Sequence, residues 1–190
     1  VRWRAARVRR VAEVGVGELP EGRTRHSEAV LLAAGVVPNT ELATAAALAA
    51  KDGILVDEYL RTSDPAISAL GDCTRFPCMF HPEPARLESV QNAIDQARSI
   101  ARRLTGRPTR YANLPWFWSN QGSARLQIAG LGTGFDRSFV RGDPDDGRFS
   151  VFLHRGNQLV AVESVNATAD HLAARNLLTK GMSEHSKVTA

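Results

Sequence analysis

Thr62-Ser63-Asp64-Pro65-Ala66-Ile67-Ser68-Ala69-Leu70-Gly71-Asp72 is a turn signature, then a short apolar strand that runs straight into Gly-Asp. Val90, a short way further on, opens a strongly amphipathic helix. The arrangement places a strand end and a helix N-terminus around one bound anion or electron-rich ring. Helix N-termini carry unpaired N–H groups and the positive end of the dipole. A carboxylate at the strand end, Asp72, suits the hydroxyls of a ribose-like group. Gly-Asp alone marks an ordinary turn more often than a site; the helix behind it gives the motif its weight.

In that helix Val90, Ala93, Ile94, Ala97, Ile100, Ala101 and Leu104 form one apolar stripe. Arg102 and Arg103 suit its C-terminal dipole, Gly106 suits the position just past its end, and Pro108 blocks continuation. Upstream, Glu28–Ala34 is a short apolar run of the kind buried on both faces of a parallel sheet. Gly35-Val36-Val37-Pro38-Asn39 ends it, and the alanine-rich Glu41–Ala50 reads as helix, capped by Asn39 or Thr40. Arg7–Val16 and Gly53–Val56 read as strands and Phe76–Pro84 as loop. The first part of the chain, 1–108, is therefore α/β.

Beyond Pro108 the character changes. Arg125–Ala129, Arg137–Val140, Phe149–Leu153 and Leu159–Val165 are strands with polar alternation, the last two joined through Arg155-Gly156-Asn157. Thr168–Lys180 is a helix closed by Gly181, and the tail after Met182 is expected to fray. Residues 109–190 thus read as an α+β module, with the boundary between Thr105 and Asn113.

The bulk numbers are those of a soluble globular protein: 190 residues, 43% hydrophobic, 23% charged, net charge +4. No apolar run approaches the roughly 20 residues of a membrane span. The opening Val1-Arg2-Trp3-Arg4 lacks the apolar core of a secretory signal, which makes a cytoplasmic location the expectation. Arg2, Arg4, Arg7, Arg9, Arg10, Arg23 and Arg25 form a basic arm, read as a solvated strand and turn because no nucleic-acid motif accompanies it. Cys73, Cys78 and His81 fall short of a metal set, so no metal is expected.

The ordered motifs resemble the C-terminal half of the pyridine-nucleotide-dependent ferredoxin reductases. These are flavoproteins of the glutathione-reductase-like fold, of the putidaredoxin-reductase and biphenyl-dioxygenase-reductase type. The resemblance rests on Ala34-Gly35-Val36-Val37-Pro38-Asn39, Arg61-Thr62-Ser63-Asp64-Pro65, Ala69-Leu70-Gly71-Asp72-Cys73, Leu87-Glu88-Ser89-Val90-Gln91-Asn92-Ala93 and Pro115-Trp116-Phe117-Trp118-Ser119-Asn120-Gln121. Gly130-Leu131, Val140-Arg141-Gly142 and Val165-Asn166 extend it over about residues 28 to 180. The Pro-Trp-Phe-Trp run favours the ferredoxin branch over nitrite-reductase or rubredoxin-reductase relatives.

The resemblance implies FAD and NAD(P)H as cofactors and an iron–sulfur ferredoxin, serving an oxygenase, as electron acceptor. It implies that Asp72 holds the ribityl chain, that the Val90 backbone approaches the pyrimidine edge of the flavin, and that Trp118 lies close to the isoalloxazine. Gly35, Pro38 and Asn39 match the loop closing the NAD-binding domain, and Glu88 matches a residue near the nicotinamide pocket. No catalytic side chain is assigned. On periodicity alone, Val90 is the first core residue of its helix, Trp116 and Trp118 are packing aromatics, and Glu88 and Ser89 are capping residues.

One departure stands out. The family carries two Gly-x-Gly-x-x-Gly turns, and this chain has neither; Gly15-Val16-Gly17-Glu18-Leu19-Pro20 lacks the third glycine. The expectation is a partial glutathione-reductase-like region followed by the C-terminal reductase domain, binding FAD weakly or not at all, inactive alone and prone to self-association. The competing expectation is an inactive remnant that acts only as a protein-binding module.

Overall fold

The structure is a computed structural model that describes residues 7–11, 14–18, 24–27 and 35–188, with side-chain burial at 24 and 35–181. The chain divides into two compact units, 1–37 and 38–190.

In the first unit β1 (Arg7–Val11), β2 (Val14–Glu18) and β3 (Thr24–Ser27) form an antiparallel meander. Arg9 pairs with Val16 and Gly17 with Arg25. The single strand expected over Arg7–Val16 is thus a hairpin. The strand expected over Glu28–Ala34 lies outside the described residues.

The second unit opens with α1 (Glu41–Ala45), half the length expected. Thr40 takes the N-cap position, although its side chain makes no capping bond. Alanine propensity is worth only tenths of a kcal/mol per residue, and α1 buries Ala43 alone. The chain instead leaves through Ala47 at φ 56° to bridge Ala50 with Ile54. A small sheet follows, with β4 (Ile54–Leu55) parallel to β5 (Thr74–Phe76) and β5 antiparallel to β6 (Ala85–Arg86).

The strand expected over Ile67–Leu70 is not a sheet strand. It makes one bridge, Ser68 to Arg61, and the paired strand comes after Gly71-Asp72 as β5. Gly71, at φ 80°, turns the chain, and its N–H goes to the side chain of Gln96 rather than to a ladder. The core here holds Val56, Leu60, Phe76, Cys78, Ile100 and Tyr111, with Phe76 edge-on to Tyr111 at 5.3 Å.

Helix α2 (Val90–Leu104) has the bounds the stripe predicts, with Ser89 Oγ accepting the Asn92 N–H at 3.2 Å as N-cap. Its orientation is the reverse of the ordinary rule. The buried face is Gln91, Asn92, Gln96, Ser99 and Ile100, while Val90, Ile94 and Leu104 are 61%, 44% and 73% exposed. Val90 is therefore not the core residue that periodicity implies.

The remaining residues form an antiparallel sheet in the order β7-β8-β11-β10-β9. Its strands are β7 (Trp116–Gln121), β8 (Ala124–Gly130), β9 (Arg137–Asp143), β10 (Arg148–Arg155) and β11 (Gln158–Val165). The register lines up Trp116, Ala129, Val162, Phe152 and Phe139 in one row across all five strands. Ala174 and Leu178 of α3 (Thr168–Val188) pack on Ala129 and Val162 in that row. The helix does not stop at Gly181 and fray, as expected. An interior glycine costs a helix only about 1 kcal/mol, and α3 continues to Val188.

Among the described residues no helix is long and apolar enough to cross a membrane.

Candidate functional site

The polar face of α2 organises everything around it. Gln96 Oε1 accepts the Gly71 N–H at 2.7 Å, which fixes the Gly-Asp turn against the middle of the helix. A Cβ added at Gly71 would lie 3.7 Å from Ala93 Cβ, so turn and helix are in close contact. Asn92 Nδ2 donates to the Leu87 carbonyl at 3.2 Å, and Asn92 Oδ1 accepts from the Tyr111 hydroxyl at 3.0 Å. Burial pushes the Tyr111 phenol up, with the charge of Asp95 adding to the shift. Gln91 Oε1 accepts the Trp116 N–H at 3.4 Å, joining the first turn of α2 to the start of β7.

Asp72, Glu88 and Val90 meet around the entry to α2, and Trp118 is linked to it through Trp116. Asp72 is exposed, and its carboxylate has no partner among the described residues. Its carbonyl accepts from Arg86 Nη1 at 3.4 Å, and the same nitrogen hydrogen-bonds Glu88. Ser89 serves the Asn92 N–H and the Ser89 carbonyl serves that of Ala93, so the Val90 and Gln91 N–H groups are open among the described residues. Such open donors at the positive end of a dipole are an anion- or carbonyl-binding element. Trp118 is half-buried and stacks on Trp116 with ring centroids 5.3 Å apart, while the Arg175 guanidinium lies 4.5 Å from the Trp116 ring.

Gly35 belongs to the first unit. Within the second unit, two predicted residues make no bond to this cluster. Pro38 and Asn39 lead into α1 and share no hydrogen bond or ion pair with Asp72, Glu88 or Val90. Sequence reading passed over Arg86, Gln91, Gln96 and His171. The first three sit in segments read as loop edge or solvent face. His171 is 1% exposed beside Trp116, with neither ring nitrogen hydrogen-bonded.

Residues 2–97 match the model of the pyridine nucleotide-disulphide oxidoreductase family, and residues 116–190 match the reductase C-terminal domain. The chain belongs to the pyridine nucleotide-disulphide oxidoreductase family. It is 52% identical over 161 residues to rhodocoxin reductase of Rhodococcus erythropolis, an alignment covering 85% of this chain and 38% of that protein. A ferredoxin reductase from Rhodopseudomonas palustris superposes with a TM-score of 0.81 at 45% identity, covering 90% of this chain and 42% of that one. Putidaredoxin reductase in its covalent complex with putidaredoxin gives 0.84 at 35% identity, covering 94% and 43%. The chain of this family member therefore spans about two fifths of the length of the relatives it matches, and the mixed helix-and-sheet fold is theirs.

Proposed function

We propose that the chain is the part of an FAD-containing NAD(P)H:ferredoxin oxidoreductase that holds the ring end of the flavin and faces an iron–sulfur ferredoxin of an oxygenase system, in the cytoplasm. The observation that carries the reading is the convergence of Asp72 and the open N-terminus of α2, tied together by Arg86 and joined to the Trp116–Trp118 pair through Gln91.

The residues present fit such a group. An exposed, unpaired carboxylate at Asp72 accepts the hydroxyls of a ribityl chain. The Val90 and Gln91 N–H groups stabilise negative charge at a ring edge, because they are oriented in advance and need no reorganisation. Trp118 offers a flat apolar surface backed by Trp116. Gln96 Nε2, buried without a partner, is a further donor at the Gly71 turn. Gly35, Pro38 and Asn39 belong on this reading to the nicotinamide-nucleotide side, and Glu88 to the edge between the two cofactors. When bound, FAD supplies hydride acceptance from NAD(P)H and single-electron release. The residues of this chain orient the ring and set the charge around it.

The names of the relatives support the acceptor: rhodocoxin reductase, and a putidaredoxin reductase in covalent complex with putidaredoxin. No Gly-x-Gly-x-x-Gly turn occurs in the 190 residues, so the chain by itself offers no such cradle for the pyrophosphate. Binding by this chain alone is weak on this reading, and NAD(P)H oxidation is absent.

Titration of the chain with FAD, followed by quenching of flavin fluorescence, tests the reading. The expected result is saturable quenching that does not survive desalting and that weakens at least tenfold in Asp72→Ala and Val90→Pro. Proline is tolerated at the first helical position and removes only the N–H. No quenching, or equal quenching by both variants, overturns it.

A further inference from the structure

Arg75 and Arg86 stand directly opposite each other on β5 and β6. Like charges in that position destabilise a ladder unless a counter-charge sits between them. Asp52 supplies it. Its Oδ2 lies 3.1 Å from Arg75 Nη1 and its Oδ1 3.3 Å from Arg86 Nε. Asp52 reaches this place from a left-handed backbone at φ 50°, next to Gly53 at φ 120°. A Cβ at Gly53 would fall 3.0 Å from the Cys73 carbonyl and 3.1 Å from Arg86 Cδ, so the missing side chain there makes room for the arginine.

The far end of Arg86 does something different. Nη1 is shared between the Asp72 carbonyl, at 3.4 Å, and the Glu88 carboxylate. The Arg86 side chain is only 14% exposed, and its hydrogen bond to Glu88 holds the guanidinium firmly charged. One planar fork therefore touches the turn that presents Asp72 and the segment that enters α2, while its Nε side is braced by Asp52. Lysine has the charge but not the fork.

We infer that Arg86 is a positioning residue for the cofactor site: braced by Asp52, it clamps the Gly71-Asp72 turn to the Glu88 entry of α2, so that the Asp72 carboxylate and the Val90 N–H keep one fixed separation. The inference rests on the proposed flavin site for its purpose, but the clamp is measurable without flavin.

Amide hydrogen exchange on the flavin-free chain is the test, with Arg86→Met and Arg86→Lys compared to the unsubstituted protein. The clamp requires that R86M raise exchange at least tenfold both in the turn, at the bonded Gly71 and Thr74 amides, and at the α2 entry, at the bonded Asn92 and Ala93 amides, with β8, β10 and β11 unchanged. It also requires that R86K recover the melting temperature of R86M without recovering that paired protection. Unchanged exchange in either segment overturns the clamp, as does a rise spread over the whole chain or full rescue by lysine. Failure of the unsubstituted chain to quench FAD removes the flavin-site reading, while the exchange result separately decides the clamp.

Discussion

Gln96 Oε1 receives the backbone N–H of Gly71 at 2.7 Å in a fully buried setting, with no water-facing alternative for either group. A buried N–H stripped of its acceptor costs about 1–3 kcal/mol. Gln96→Met keeps the volume and removes the acceptor. It also removes the unpaired Nε2, which offsets part of that cost, so the expected outcome is a loss of about 1 kcal/mol in urea unfolding. A loss below half a kcal/mol would show that the turn finds another acceptor.

Helix α2 shows what was legible in the sequence and what was not. Its bounds follow from Ser89, the stripe from Val90 to Leu104 and Gly106, because capping and breaking are local chemistry. Which face is buried is not local. Gln91, Asn92, Gln96 and Ser99 read as a solvent face, yet they lie inside, where Gln96, Asn92 and Gln91 meet Gly71, Tyr111 and Trp116 from distant segments. The same gap explains Arg86: nothing near it in sequence tells that Asp52 and the Asp72 carbonyl stand beside it. The strand expected at Ile67–Leu70 failed likewise, since a four-residue stretch with three apolar side chains before a Gly-Asp pair fits a bridge and a turn as well as a ladder.

The reversed face of α2 carries its own expectation. Val90, Ile94 and Leu104 are exposed on one side of a 15-residue helix, and exposed apolar stripes promote association and dye binding. The double variant Ile94→Lys, Leu104→Lys should change unfolding free energy by no more than about half a kcal/mol, as for other surface positions. It should also reduce anilinonaphthalene-sulfonate fluorescence and light scattering at high concentration. A large loss of stability would mean that the face is covered within this chain.

Tyr111 predicts behaviour at high pH. Burial raises its phenol well above the ordinary value near 10, so the folded chain keeps a proton that the unfolded chain gives up. Between those two values the native state binds more protons, and stability falls as pH rises. The contribution is intact below about pH 10 and is lost progressively above it. Tyr111→Phe leaves Asn92 Oδ1 without its donor, which costs about 1 kcal/mol at neutral pH. The variant should also show a flatter decline in melting temperature between about pH 10 and 11.5. Parallel declines in the two proteins would mean that Tyr111 ionises without unfolding.

His171 sets the opposite limit. Burial lowers the folded pKa of its imidazole, and the positive charges of Arg175 on α3 and Arg125 on β8 lower it further. The unfolded chain therefore binds the proton more readily from about pH 6.5 downward. Stability present above that pH is lost as it falls, at up to about 1.4 kcal/mol per pH unit for one proton. Neither ring nitrogen makes a hydrogen bond, so an apolar ring of similar shape leaves nothing unpaired. His171→Phe, beside Trp116, is expected to match or exceed the original melting temperature at pH 8 and to lose less of it by pH 5.5. Thermal melts every half unit across that range are enough, because few carboxylates titrate there. Equal slopes in the two proteins would show that the imidazole is protonated in place, and the assignment of the acid limit to His171 would then be wrong.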